Sequence, residues 1–224
     1  MMNPTRLLPL VAVLTLVAVG AGCANVERSR DIANPAVPGP VLAQQVCSNC
    51  HGIGGSSVSP NFPNLAGQTA PYLVDQLKNF RSHNRSDPAG YEYMWGLSRS
   101  LTDAQIDSLA AYFSSTPLAP QAIESDPATI AAGKLIFEAG IAASGVPACT
   151  SCHGASGQGS AIFPRLAGQH MDYLAKQLKV FQRTNQRSNP ETMPTGMIMK
   201  SVAHSLDEQQ ISEVAAFAQS IGNP

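Results

Sequence analysis

Five residues, Cys47-Ser48-Asn49-Cys50-His51, return later in the chain as Cys149-Thr150-Ser151-Cys152-His153. Two cysteines separated by two residues and followed at once by histidine form the pattern of covalent haem attachment. The two thiols add across two vinyl groups, and the spacer sets their separation. The adjacent histidine is then placed to reach the iron from one side. Two other chemistries use paired cysteines. Two pairs can share one zinc, but zinc ribbons usually bring their pairs closer together and need no histidine directly after each pair. A redox dithiol belongs in a βαβ setting, and the chain shows no such pattern. Four of the five cysteines sit in the two stretches, leaving Cys23 alone. The reading is therefore two haem c groups, one held by Cys47 and Cys50 and the other by Cys149 and Cys152, with His51 and His153 as iron ligands.

The repeat extends well beyond the signatures. Phe62-Pro63-Asn64-Leu65-Ala66-Gly67-Gln68 matches Phe163-Pro164-Arg165-Leu166-Ala167-Gly168-Gln169. Tyr72-Leu73 matches Tyr173-Leu174, Gln76-Leu77-Lys78 matches Gln177-Leu178-Lys179, and Phe80 matches Phe181. Such a repeat is too long for a solenoid unit and marks a duplicated domain. Apolar residues recur at helical spacing, as in Leu73, Leu77 and Phe80 or Ile211, Val214 and Ala218. Thr102 with Gln105, and Asp207 with Gln210, predict capping boxes that start the last helix of each unit. No alternating pattern argues for strands, so the fold class is all-α. The first helix of unit one is short and lacks a small residue for a close crossing. Its counterpart in unit two is longer and carries Gly133, where another backbone can approach.

The flanks of the units are equally legible. Residues 1–24 combine a short positive start, an apolar run and small residues, which reads as a signal peptide. Cys23 has two readings: the lipidated first residue of a lipoprotein, or a residue lost when cleavage follows Ala24. Residues 25–39 are polar and then proline-rich, as expected of a linker or tether. Unit one is expected over 40–116, a second linker over 117–127, and unit two over 128–224. An exported chain suits covalent haem attachment, and the expected location is the periplasm, with a membrane anchor if Cys23 carries a lipid. Charged residues make up 13% of the chain and the formal net charge is −1, so no basic stripe argues for nucleic acid.

What each iron finds on its other side separates electron transfer from catalysis. Aligned through Leu101 and Leu206, Met94 and Met199 occupy the same position in a loop ahead of the last helix. They are the candidate distal ligands, with Met197 in reserve for unit two. A lone methionine is more often core filler; a matched pair argues for ligation. His83, His170 and His204 have no counterpart histidine and read as surface or polar-network residues. A ligating histidine needs its second nitrogen held, and the carbonyls of Pro63 and Pro164 are candidates for that role.

Together these residues resemble the class I cytochromes c, and in duplicate the cytochrome c4 family of two-haem electron carriers. The likeness covers nearly everything from about residue 40 to 222. It implies two tandem all-α domains, each wrapped around one haem, with the haems near the domain interface. It also implies iron ligation by His51 and Met94 in unit one and by His153 and Met199 in unit two. Electrons would pass from a quinol-oxidising complex to a terminal oxidase, and the protein would not be an enzyme. Two rivals stand beside this expectation: a haem subunit docked permanently to an oxidase or dehydrogenase, and a dihaem peroxidase, which would need an open iron site. Lys78, Arg81, Lys179 and Arg183 on the repeated helix could meet haem propionates or partners, or simply face solvent.

Overall fold

The computed structural model describes residues 25–123 and 125–222. The signal-peptide reading, Cys23 included, lies outside them. Unit one contains α1 (Gly39–Leu42), α2 (Ser48–His51), α3 (Ala70–Arg81), α4 (Trp95–Ser98) and α5 (Asp103–Ser115). Unit two contains α6 (Pro127–Ala139), α7 (Thr150–His153), α8 (Met171–Arg183), α9 (Pro194–His204) and α10 (Glu208–Ser220). The described residues contain two isolated bridges and no strand.

Local chemistry sets the helix ends. Thr102 and Asp207 accept from the backbone N–H of Gln105 and Gln210, whose side chains reach back to the cap residue, so both capping boxes form. Asp126 caps α6 and Pro127 fills its first position, where a proline loses no helical hydrogen bond. In unit one α3 and α1 pack on α5; in unit two α6 and α8 pack on α10. Ile106, Leu109 and Phe113 centre the first core, and Phe137, Ile211 and Val214 the second. Full burial of such a side chain is worth about 1.5–3 kcal/mol.

Two expectations need correction. The first helix of unit one does have a close-crossing residue, and it is Gly39. A Cβ there would lie 2.7 Å from Leu109 N and 2.6 Å from Ser108 Oγ. At Gly133 a Cβ would lie 1.9 Å from Glu213 O. Counted from the two capping boxes, Ser108 and Glu213 are equivalent, so Gly39 and Gly133 are the same crossing point. The proline-rich segment is also not a free tether along its whole length. Val37 is buried in the first core, and the Gln105 side chain donates to the carbonyls of Asn34 and Val37. The apolar Ile32 and Val37 supply the reason: they find partners on the domain.

The four basic residues of the repeated helix are tied down in ion pairs. Arg81 pairs with Asp103 at 2.6 Å and donates to Leu101 O, and Lys179 pairs with Glu208 at 2.8 Å. Lys78 also reaches Asp103 and Arg183 reaches Glu208. They clip the middle helix of each unit to the start of its last helix, at a half-exposed surface where solvent screens the ion pairs.

The units meet through the repeated Phe-Pro segments. Gln169 Oε1 accepts from Asn64 N at 2.8 Å, and Gln169 Nε2 donates to Asn64 O at 3.0 Å. Gln68 does the same to Arg165, at 2.7 Å and 3.0 Å. The interface thus has a local two-fold character that the duplication creates. His170 adds an asymmetric bond, donating from Nε2 to Ser57 O at 3.0 Å.

Candidate haem sites

Each Cys-x-x-Cys-His stretch folds as about one helical turn. Cys47 ends a π-helical turn (Ala43–Cys47) and leads into α2; Cys149 caps α7. Residues three apart on a helix share a face, so each pair of thiols can meet one flat ligand. All four thiols are free and half-buried. Before haem is attached, burial pushes the Cys47 and Cys149 thiols up to about 11. No cluster of three or more His, Cys, Asp or Glu side chains gathers among the described residues, so the two pairs do not converge on a shared zinc site.

His51 Nδ1 lies 2.9 Å from Pro63 O, and His153 Nδ1 lies 2.8 Å from Pro164 O. Facing a carbonyl, each Nδ1 must carry the proton, which leaves Nε2 as the free lone pair. Burial lowers the pKa of both rings, against the opposing pull of the proline carbonyls. The neutral imidazole that iron requires is thus the favoured form.

A single cavity takes in both rings and crosses the domain interface. Its walls are mostly apolar, with Leu73 and Phe80 on one side and Leu174 and Phe181 on the other. Met94 and Met199 both line it. Met197 does not; it is 40% exposed on the outer side of α9. Buried Met193 lines the cavity as well, although unit one has no methionine at the equivalent position. Neither matched methionine sits in a loop. Met94 closes a π-helical turn (Gly90–Met94) that runs into α4, and Met199 lies within α9, which Pro194 starts.

The cavity also holds a polar cluster that sequence reasoning missed. Arg85 forks onto Asp87 at 2.9 Å and 3.2 Å and donates to Gln76 Oε1 at 2.7 Å. Arg187 donates to Tyr72 OH and Gln76 Oε1, both at 3.1 Å, and to Gln177. Each guanidinium stacks on the matched phenylalanine of its own unit, Arg85 over Phe80 at 4.4 Å and Arg187 over Phe181 at 4.6 Å. Burial alone would raise the Asp87 carboxyl; the Arg85 guanidinium overrides this and holds it below the usual carboxylate range. Arg187 has no carboxylate at ion-pair distance among the described residues, and its Nε is buried without a partner.

These features form a fit test for haem. A mostly apolar cavity, paired thiols on one helical turn and a neutral imidazole with a free Nε2 suit the macrocycle and its iron. A buried guanidinium with an unsatisfied N–H suits the anionic propionates, since a buried charge needs a partner. The residues fit the group.

The cytochrome c family model matches residues 36–117 and again 130–222. The chain belongs to the cytochrome c family. Cytochrome c4 of Azotobacter vinelandii is 37% identical over 186 residues, covering 79% of this chain and 84% of the relative. The crystal structure of reduced recombinant cytochrome c4 from Pseudomonas stutzeri superposes with a TM-score of 0.71 at 37% identity, over 82% of this chain and 96% of that one. A thiosulfate dehydrogenase electron acceptor from Stutzerimonas stutzeri is 32% identical over 184 residues, 80% of this chain and 81% of the relative. Two cytochrome c domains of the c4 type mean two covalently attached haem c groups, and the protein is a dihaem electron-transfer cytochrome.

Proposed function

We propose that each haem is closed on both faces by the protein: His51 and Met94 in unit one, His153 and Met199 in unit two, with thioether bonds from Cys47, Cys50, Cys149 and Cys152. When bound, the haems supply one-electron exchange between ferrous and ferric iron. The rest belongs to the chain. Pro63 and Pro164 fix the imidazole planes and keep the proton on Nδ1. The thioether sulfurs of Met94 and Met199 would favour the reduced iron and raise the potential. Arg187 would take the propionate charge, and the apolar walls would keep water from the irons.

The observation that carries this reading is that both matched methionines line the cavity shared by the two histidines, whereas Met197 faces outward. Visible spectra of the oxidised holoprotein test it. Met94→Ala and Met199→Ala should each remove about half of the methionine–iron charge-transfer band at the red end. If Met193→Ala removes that half and Met199→Ala spares it, the assignment in unit two fails.

In this reading the protein works in the periplasm and carries electrons from a quinol-oxidising complex to a terminal oxidase. The leader-like residues 1–24 support export. Fatty-acid labelling of the wild type, compared with Cys23→Ser, tests a membrane anchor. A second reading has support of its own: the likeness to a thiosulfate dehydrogenase electron acceptor favours a subunit that serves one dedicated enzyme. Tyr93, Leu97, Ile162 and Ile198 line the cavity yet remain substantially exposed, and they provide an apolar rim for either partner. Co-purification with a dehydrogenase under mild extraction would favour the dedicated subunit; recovery as a free protein would favour the shuttle.

A further inference from the structure

The peptide group between Pro63 and Asn64 has two hydrogen bonds in series. Its carbonyl accepts from His51 Nδ1 at 2.9 Å, and its N–H donates to Gln169 Oε1 at 2.8 Å. Gln169 belongs to the other domain. The peptide between Pro164 and Arg165 repeats the arrangement: its carbonyl takes His153 Nδ1 at 2.8 Å, and its N–H donates to Gln68 Oε1 at 2.7 Å. Each glutamine also donates from Nε2 to the next carbonyl of the opposite segment, both at 3.0 Å. Each Oε1 accepts a further backbone N–H, from Thr69 at 2.9 Å and from His170 at 3.1 Å. These bonds leave one orientation for each amide: the oxygen must face the peptide N–H. Both glutamines are buried, at 6% and 5% exposure, so water does not substitute for them.

We infer that Gln68 and Gln169 are crossed positioning residues, each setting the reduction potential of the haem in the opposite domain through the proline peptide that holds the ligating histidine. Hydrogen bonds in series polarise one another in a low-dielectric interior. An acceptor on the peptide N–H puts more negative charge on the proline oxygen. That oxygen then draws the Nδ1 proton more strongly, and the imidazole becomes a more basic ligand. A more basic ligand favours ferric iron and lowers the potential. The wiring is reciprocal, so docking of the two domains tunes both sites at once, and separation would shift both upward. The inference rests on His51 and His153 as the iron ligands.

The test uses the full dihaem holoprotein, with each haem assigned by NMR and its potential followed by spectroelectrochemistry. Gln169→Leu keeps the bulk and removes the acceptor. It should raise the potential of the haem in unit one, leave that of unit two in place, and move the His51 Nδ1–H resonance upfield. Gln68→Leu should do the reverse, acting on unit two and His153. Gln169→Glu retains an acceptor oxygen and should keep the His51 resonance at or downfield of its native position, so a leucine variant that unfolds does not end the test. Equal shifts at both haems, or a shift confined to the domain that carries the substitution, would overturn the inference. If the wild type lacks the proton signals of an iron-bound imidazole at His51 and His153, it is the ligand assignment that fails. If those signals are present and no variant moves them, the ligands stand and the crossed tuning is wrong.

Discussion

Replacing Asp87 by asparagine removes one charge from the buried cluster beneath the haem cavity, and the structure sets the size of the effect. Asp87 has a fully buried side chain, and that of Arg85 is 4% exposed. The pair is bidentate, with no bulk water near enough to compensate. Breaking a buried ion pair by removing one partner costs about 3–5 kcal/mol, because the other charge is left behind. Asparagine can still accept one guanidinium hydrogen bond, so the lower end, about 3 kcal/mol, is the expected loss. The pH dependence carries the same information. In the folded protein the Asp87 carboxyl is held below its usual range, burial opposing and Arg85 prevailing. The folded state therefore binds that proton more weakly than the unfolded chain does. Its stabilisation is complete above the unfolded carboxylate pKa of about 3.9 and is lost as pH falls through the lower folded value. Denaturant unfolding of the holoprotein at neutral pH, repeated stepwise into acid, measures both. The wild type should lose its advantage over Asp87→Asn as the acid limit is reached. A neutral-pH difference under about 0.5 kcal/mol, or a gap that widens in acid, would refute the argument that this pair holds the cluster together.

Two further perturbations read the packing and the caps. Gly133→Ala sets a methyl against Glu213 O and must push α6 from α10, destabilising unit two by about 1–3 kcal/mol despite the better helix propensity. Gly96→Ala meets nothing within 4 Å and should stabilise unit one by about 0.5–1 kcal/mol, so thermal unfolding of the pair separates crowding from propensity. Asp207→Ala removes the cap oxygen that accepts Gln210 N at 2.8 Å and should cost about 1 kcal/mol in urea unfolding, whereas no change would mean that α10 is held by packing alone.

The sequence was most legible where chemistry fixes spacing. The attachment signatures, the capping boxes and the apolar helix faces are local patterns, and each is visible within one or two turns. Gly39 escaped because its role depends on Ser108 and Leu109, far along the chain, while its neighbours Pro38 and Pro40 argue for a linker. The arginine cluster escaped for a different reason. Asn84 and Asn185 align, but Arg85 follows directly and Arg187 comes one residue later, after Gln186. A strict register pairs Arg85 with Gln186 and hides the match. Allowing one inserted residue would have revealed it, since each arginine stacks on a phenylalanine that does align. Gly90 and Gly196 are offset further still, yet play the same part: a Cβ at either would strike the carbonyl of its own unit's arginine, at 2.5 Å from Arg85 and 1.7 Å from Arg187. Each glycine lets the methionine-bearing segment lie against the arginine's backbone, so two contacts invisible in strict alignment position the same part of each site.

The repeated Phe-Pro segment explains why a duplication could persist as one two-centred molecule. Within a domain its proline carbonyl holds the histidine; between domains its glutamine holds the segment next to the opposite proline. A single domain would leave Asn64 or Arg165 to find water at the backbone and would expose a glutamine shaped for a partner. Duplication supplies that partner in the same sequence, because each copy brings both the clamp and the surface it grips. The contacts need not be equal to work together. His170, whose counterpart is Thr69, adds a bond to Ser57 on one side only, while Thr69 reaches Ala161 O at 2.6 Å on the other. The two sites therefore share one backbone device but sit in unlike surroundings. Two chemically identical haems held by the same device would therefore meet unlike hydrogen-bonding surroundings, one beside the His170 contact and the other beside the Thr69 contact.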